Sequence, residues 1–411
     1  MLNRQFLSTD HQQLADALGA GPPPLIIQDL DGVCMGLVAD PRRRQIDPEY
    51  LSACRRLRGS FFVLTNGEHV GSRGMNGIVE RSLGGRRQAA GRYLPGLAAG
   101  GVQWQDVDGV VSHPGVSGAE LRFLADVPGR ARRFLCEFLA RPGHRLTPSR
   151  AAQLADAAVL DNRVSPTVNI NVVFEACGGR GAIYQQLQRE LQGFMTDLLE
   201  AAAGHGLADA FFLHLAPNLG RDSDGERLAP GRAEMAGTTD FQFMLSGAIK
   251  EAGVLALLNR YYGARFGSHP LGAEFSVRDA PRSHTALLDL AEANFERRRM
   301  PRIVAVGDTV TSSLDAAGRP ARGGSDRGFL HLVQDLGRRF ATDNAVLFVD
   351  SSGGEVRRPG LSIDRGAAAE AAEGITDAAD PLRLNFAFPH GHRQYVDFLI
   401  GLAGHIGARD A

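Results

Sequence analysis

Lysine is almost missing from this chain: of 45 lysine and arginine residues, Lys250 alone is a lysine. Arginine-rich codon usage accounts for the others, and leaves the question of what a guanidinium could not do at position 250. Cysteine is sparse as well. Cys34, Cys54, Cys136 and Cys177 are scattered and form no C-x-x-C pair, which excludes a disulfide framework and points to reduced packing residues. No apolar run approaches the roughly 20 residues that span a bilayer. The opening MLNRQFLSTDHQQLADALGAG lacks a secretory apolar stretch and carries Asp10 and Asp16, which transit peptides avoid. A cytoplasmic protein with no membrane partner is expected. Net charge is small too, at −1, so no global attraction to nucleic acid is expected. The arginine runs Arg42–Arg44 and Arg297–Arg299 read as solvated faces.

Several catalytic signatures are also absent. The sole lysine is followed by Glu251, so there is no G-K-[ST] phosphate loop. There is no H-E-x-x-H for zinc and no G-x-S-x-G elbow for a serine hydrolase. Cys136 is followed five residues later by Arg141, one short of the spacing that cysteine phosphatases use.

What is present describes a globular protein. At 411 residues, 44% hydrophobic and 22% charged, the chain is long enough for two domains. Residues 25–28 (LIIQ) are apolar and β-rich, after three prolines that continue neither a helix nor a central strand. SFFVLTNG (60–67), RIVAVGDT (302–309) and NAVLFVDSSGG (344–354) repeat the pattern of an apolar strand that ends in polar residues and glycine. Such strands predict an α/β fold with a parallel sheet covered on both faces, whose ligands bind at the strands' carboxyl ends. More than two hundred residues separate the second run from the third, too many for one crossover. An inserted domain is therefore expected over 70–240, with 1–69 and 241–411 forming the core. Inside it, an alternating run at 165–176, a helix over 181–206 and a strand over 208–217 predict an α+β lid. The low-complexity stretch 366–380 reads as a surface excursion, and the helical spacing of the last residues as a helix packed on the sheet.

The first strand runs into Asp29-Leu30-Asp31-Gly32. Two carboxylates a few ångströms apart repel by about 4 kcal/mol at an effective dielectric near 20, so the pair needs a cation or a shared proton. Where the strand breaks at Gly32 both can face one pocket. One carboxylate can then attack while the other moves protons, with Mg²⁺ screening both. A second copy, Asp222-Ser223-Asp224-Gly225, lies in a wholly polar stretch and reads as a solvated loop. Thr65, Asn66 and Gly67 supply hydroxyl, amide and backbone N–H groups for phosphate oxygens, and Asp308 supplies a third carboxylate for a hard cation. Lys250, between apolar neighbours, can reach a phosphate and a carboxylate together where a wide guanidinium would not fit.

In order and spacing these strand ends resemble the haloacid dehalogenase superfamily: D-x-D-G, a threonine or serine strand end, a lysine, then a G-D strand end. The resemblance implies a HAD-like Rossmannoid core whose insert is a type-two cap. It makes Asp29 the nucleophile that forms an aspartyl phosphate, Asp31 the general acid and base, Thr65 a phosphoryl ligand and Lys250 the charge stabiliser. Asp29, Asp308 and the backbone oxygen of Asp31 would hold Mg²⁺. Within the superfamily, LIIQDLDGVCMGLV, FFVLTNGEHVGSRGMNGIVER, AIKEAGVLALLNRYYG and AVGDTVTSS…RGGSDRGFLHLVQ resemble the salt-tolerance phosphatases that complete synthesis of the osmolyte glucosylglycerol. That likeness implies hydrolysis of 2-O-(α-D-glucosyl)-sn-glycerol 3-phosphate, with the upstream synthase as a candidate partner. One position departs: Ser312 stands where many superfamily members carry a second acid, leaving Asp315 or Asp326 to fill the role.

Substrate choice is expected from the lid and from Glu68, His69 and Arg73, polar residues beside the phosphate site that could read sugar hydroxyls. Arg180 and Arg221 are weaker candidates, and His113, His214 and His284 read as structural or exposed. Competing readings are a phosphatase for trehalose or sucrose phosphate, and a catalytically silent partner of the synthase.

Overall fold

The computed structural model describes residues 1–40, 43–71, 73–178, 181–222, 225–232, 235–314, 318–362 and 372–407. Arg42, Arg180, Asp224, Asp315 and 366–371 lie outside the described residues. No helix among those described is long and apolar enough to cross a membrane.

In chain order the first strands are β1 (Leu25–Gln28), β2 (Phe61–Leu64), β3 (Gly96–Ala98), β4 (Gln103–Gln105) and β5 (Val111–Ser112). Next come β6 (Val159–Leu160), β7 (Thr167–Asn169), β8 (Phe211–Ala216), β9 (Asn218–Asp222), β10 (Gly225–Leu228) and β11 (Asp240–Leu245). The last are β12 (Ile303–Gly307), β13 (Thr311–Leu314), β14 (Pro320–Gly323), β15 (Ala345–Val349) and β16 (Phe386–Phe388). Among the described residues eight strands form one sheet in the order β16-β15-β12-β1-β2-β3-β4-β5. It is parallel from β16 to β3 and antiparallel beyond.

The four apolar runs became its strands β1, β2, β12 and β15. Alternate residues face opposite ways along a strand, and each face has its own core. Leu25, Ile27, Phe62, Leu64, Ile303 and Ala305 pack on one side; Ile26, Phe61, Val63, Val304 and Val306 pack on the other. Burial on both faces is why these strands read as unbroken apolar runs. Helices Lys250–Phe266 and Arg327–Phe340 cover the first face. Helices His11–Gly19, Pro48–Arg56 and His392–Gly407 cover the second, which puts the C-terminal helix where its spacing predicted.

A second sheet, antiparallel in the order β6-β7-β11-β8, carries helices Gly118–Leu139 and Gly181–Gly204 against it. Within the 70–240 span, β3, β4 and β5 extend the large sheet, while β11, at its far end, is an inner strand of the small one. The alternating run 165–176 is only half a strand: after β7 the chain turns into helix Asn171–Cys177. Asn169 Oδ1 accepts the Asn171 N–H at 3.2 Å, a local bond that starts the turn in place of more strand. Of the polar second D-x-D-G copy, Asp222 ends β9, exposed, and pairs with Gly225 at the start of β10. In the stretch read as a surface excursion, Ala372 and Ile375 are buried. Asp377 accepts from Nε and Nη2 of Arg322, each at 2.7 Å, and Asp380 pairs with Arg327, so residues 372–380 are tied to the body.

Candidate active site

Strands β1, β2 and β12 are adjacent and parallel, so their carboxyl ends open into one place. The ladder carries on one residue past β1, with Asp29 N–H donating to Val306 O at 3.0 Å. Gln28, a polar side chain inside the core, is satisfied by Tyr395 Oη at 2.7 Å and by its own bond to Asp29 O at 2.9 Å. Gly32 then turns back with φ +79, and a Cβ there would meet Asp308 Oδ2 at 2.1 Å. Only glycine allows the first loop so near the Asp308 carboxylate.

Lys250 is the first residue of helix Lys250–Phe266, and its side chain is 2% exposed. Its Nζ stands 3.0 Å from Asp29 Oδ2 and 2.7 Å from Asp326 Oδ1. Burial pulls the ammonium down, but the two carboxylates outweigh it and its pKa is raised. Asp326, one of the two acids considered for the place of Ser312, lies here beside Lys250. Its second oxygen accepts the N–H groups of Asp308 and Thr309, each at 2.9 Å, and Lys250 lowers its pKa against the push of burial. Asp326 follows the β13–β14 hairpin, eighteen residues beyond Asp308, and no spacing pattern marks it.

Asp29, Asp308 and Asp326 bring carboxylate oxygens within 4.8 Å of one another. Asp29 Oδ1 and Asp308 Oδ2 are buried and accept no hydrogen bond. Burial raises Asp29 to about 7 in spite of Lys250. Asp308 rises to about 8 through burial and the neighbouring Asp326 charge. Two partnerless buried carboxylate oxygens fit a hard cation, which would make ionisation of both favourable.

The cleft is lined by Asp29, Asp31, Thr65, Asn66, Gly67 and Lys250 among others, so the predicted cluster does meet. Thr65 Oγ1 accepts the Gly67 N–H at 3.3 Å. Asp31 pairs with Arg44 Nε at 2.9 Å. Arg44 therefore corrects the solvated-face reading of its run: it lines the cleft, held there by Asp31. Arg43 does stay exposed, paired with Glu355.

The residues after Asn66, expected to read sugar hydroxyls, also make contacts within the protein. The Glu68 carboxylate accepts the N–H groups of Arg163, Val164 and Ser165 at 2.7–2.9 Å, the Ser165 hydroxyl and Gln103 Nε2. Arg73 donates to Asp156 O and Val159 O, carbonyls at the end of helix Pro148–Ala158. Both line the cleft and both also bond to the inserted segment. His69 does not reach it: the ring is fully buried, faces Gly96 O at 3.3 Å, and burial lowers its pKa to about 4. Arg221 pairs with Glu226 on the exposed hairpin.

His214 joins the parts. Asn66 Nδ2 donates to its Nε2 at 3.3 Å, which leaves Nδ1–H to donate to Glu226 at 2.9 Å. His284 stacks on His331, and both face Asp335, which also accepts from Arg338; this trio is closed on itself. His113 contacts Gln103 Nε2. Sequence reasoning did not reach Arg358, Asp240, Gln242 and Asn169, which also line the cleft. No local pattern signals them, since they come from a loop after β15 and from the inserted sheet.

The parallel sheet, the strand-end carboxylates and the helix-borne lysine define the HAD-like class of α/β proteins. The chain belongs to the glucosylglycerol-phosphate phosphatase family, whose profile matches residues 23–403. A protein of Synechocystis sp. (strain ATCC 27184 / PCC 6803 / Kazusa) named glucosylglycerol-phosphate phosphatase is 49% identical over 405 residues, covering 96% of each chain. Among solved structures, the C-terminal domain of C. albicans trehalose-6-phosphate phosphatase aligns over 97% of this chain and 98% of its own, at 11% identity and TM-score 0.47. The C-terminal domain of the Candida albicans trehalose synthase regulatory protein aligns at 9% identity and TM-score 0.46, over 97% and 99%.

Proposed function

We propose that this chain is a Mg²⁺-dependent phosphatase that hydrolyses 2-O-(α-D-glucosyl)-sn-glycerol 3-phosphate to glucosylglycerol and phosphate, completing synthesis of that osmolyte. The observation that carries the reading is Lys250 Nζ at 3.0 Å from Asp29 and 2.7 Å from Asp326, beside the partnerless oxygens of Asp29 and Asp308. The name of the 49% identical relative supports the substrate.

Asp29 attacks phosphorus, and the bond from phosphorus to the glycerol oxygen breaks as that oxygen takes a proton from Asp31. Water then attacks the aspartyl phosphate and gives a proton back to Asp31, which releases phosphate and restores Asp29. Lys250, the Thr65 hydroxyl and the Asn66 and Gly67 donors hold the phosphoryl oxygens. Arg44 positions Asp31. Asp29, Asp308 and the Asp31 backbone oxygen would hold Mg²⁺, which supplies charge neutralisation; Asp326 holds Lys250 and the Asp308 backbone. The chain divides on this reading into a core and an inserted cap. Sheet membership favours a cap from about 113 to 246 over the 70–240 expected. The cytoplasm is the proposed location and the upstream synthase the proposed partner.

Phosphate release by purified protein with Mg²⁺ tests this on glucosylglycerol phosphate, trehalose 6-phosphate, sucrose 6-phosphate and glycerol 3-phosphate. The highest kcat/KM is expected for the first, with Asp29→Asn inactive on all. A wild type that releases phosphate from none of them overturns the reading in favour of a silent partner, and a preference for another sugar phosphate replaces the substrate.

A further inference from the structure

The cleft has more unmet hydrogen-bonding capacity than a cation and a phosphoryl group account for. Besides the two carboxylate oxygens, Gln242 Oε1 and Arg358 Nε lie in its wall, buried and without a partner. The first is an acceptor and the second a donor. An unpaired buried polar atom costs about 1–3 kcal/mol, and such atoms are rare unless something outside the polypeptide meets them. A phosphate ester's oxygens accept only, so they can answer Arg358 but not Gln242. A hydroxyl does both, since it donates to an amide oxygen and accepts from an N–H.

Their placement suits a ligand that reaches out of the phosphate site. Gln242 lies two residues after Asp240 on β11, on the same face of the strand, and both line the cleft. Asp240 is already engaged, accepting from Asn169 Nδ2 at 2.8 Å and Thr239 Oγ1 at 3.0 Å, so Gln242 is the open acceptor of that face. Arg358 comes from a different element, the loop after β15, and its Nη1 donates to Thr309 Oγ1 at 3.3 Å, next to Asp308. Burial raises the carboxyls of both Asp308 and Asp240, and the Arg358 charge pulls both back.

We propose that Gln242 and Arg358 determine specificity by gripping sugar hydroxyls from two different elements, Gln242 Oε1 accepting and Arg358 Nε–H donating. Selectivity for a glucosyl ester over bare glycerol 3-phosphate then depends on both. This rests on the phosphatase reading above.

The test compares wild type, Gln242→Leu and Arg358→Lys for kcat/KM on glucosylglycerol 3-phosphate and on glycerol 3-phosphate. Lysine keeps the charge of Arg358 but has no Nε–H. Each variant should lower the ratio of the two values by about tenfold, the worth of one such bond. A wild-type preference for the glucosyl ester that either variant leaves intact overturns the pair and spares the function; a wild type with no preference overturns both. Calorimetric binding of glucosylglycerol, which lacks phosphate, is read alongside, with Gln242→Met replacing the leucine variant should that fail to fold. Its Kd should rise about tenfold in each variant, and an unchanged Kd, or no binding by wild type, overturns the pair.

Discussion

The single lysine is explained by what surrounds it. An ammonium has three donors on a compact head; two of those on Lys250 face Asp29 and Asp326, and the third is free for a phosphoryl oxygen. A planar guanidinium spreads its donors in a rigid fork, and the space between two fully buried carboxylates does not admit it. Lys250→Arg should therefore cost at least about a hundredfold in kcat, the scale of losing one preorganised charge contact. Lys250→Met leaves buried charge unbalanced and should lower unfolding free energy by about 3–5 kcal/mol, read by denaturant titration. Wild-type activity in the arginine variant would remove the lysine from its role. Asp308 gives a readout independent of turnover: Mg²⁺ at a hundred times its Kd stabilises by about 2.7 kcal/mol, so the thermal midpoint should rise with Mg²⁺ in wild type and stay flat in Asp308→Asn. At this scale Asp29, Asp31, Thr65, Lys250 and Asp308 were legible because each closes or follows an apolar run. Asp326 was reached only as one of two alternatives and Arg358 not at all, because their partners lie far away in sequence; Arg44 was misread because nothing in an arginine run tells which member turns toward Asp31.

Among elements, the loop 66–73 decides how the inserted segment sits over the strand ends. Asn66 holds His214, Glu68 collects the 163–165 backbone, and Arg73 covers the carbonyl end of helix Pro148–Ala158. A sequence shows the polarity of such a loop but not which of two neighbours claims its donors and acceptors. The same limit applied at 165–176, where alternation fits a strand until one asparagine side chain closes a turn. Glu68→Gln makes the point measurable. Its amide NH₂ would face backbone N–H groups, donor against donor, so stability should fall by about 1–3 kcal/mol. On the proposed reading the loop positions the lid and does not react, so KM should rise more than kcat falls. A variant with wild-type stability and KM would show that the carboxylate does not hold the segment.

The whole molecule combines titrations that pull in opposite directions, and their signs can be separated. Asp29 and Asp308 are raised above ordinary carboxyls, so what they contribute is full at low pH and is lost as pH rises through about 7 and 8. His69 does the reverse. Burial holds its ring neutral, down from 6.5 to about 4, while an unfolded chain protonates it near 6.5. Its contribution is complete above that value and is lost as pH falls toward 4, amounting to about 3 kcal/mol for the full window. Because these terms oppose each other, a wild-type stability profile alone assigns nothing, and a difference is needed. His69→Gln keeps a donor for Gly96 O but does not titrate. Unfolding free energies of the two proteins, measured by denaturant at pH 7.5 and 4.5, should differ in their pH dependence by about 2–3 kcal/mol, with wild type losing more on acidification. Parallel profiles would mean that the ring takes up its proton in the folded state as readily as in the unfolded chain, and that the interior between the loop and β3 is not the dry site that the geometry describes.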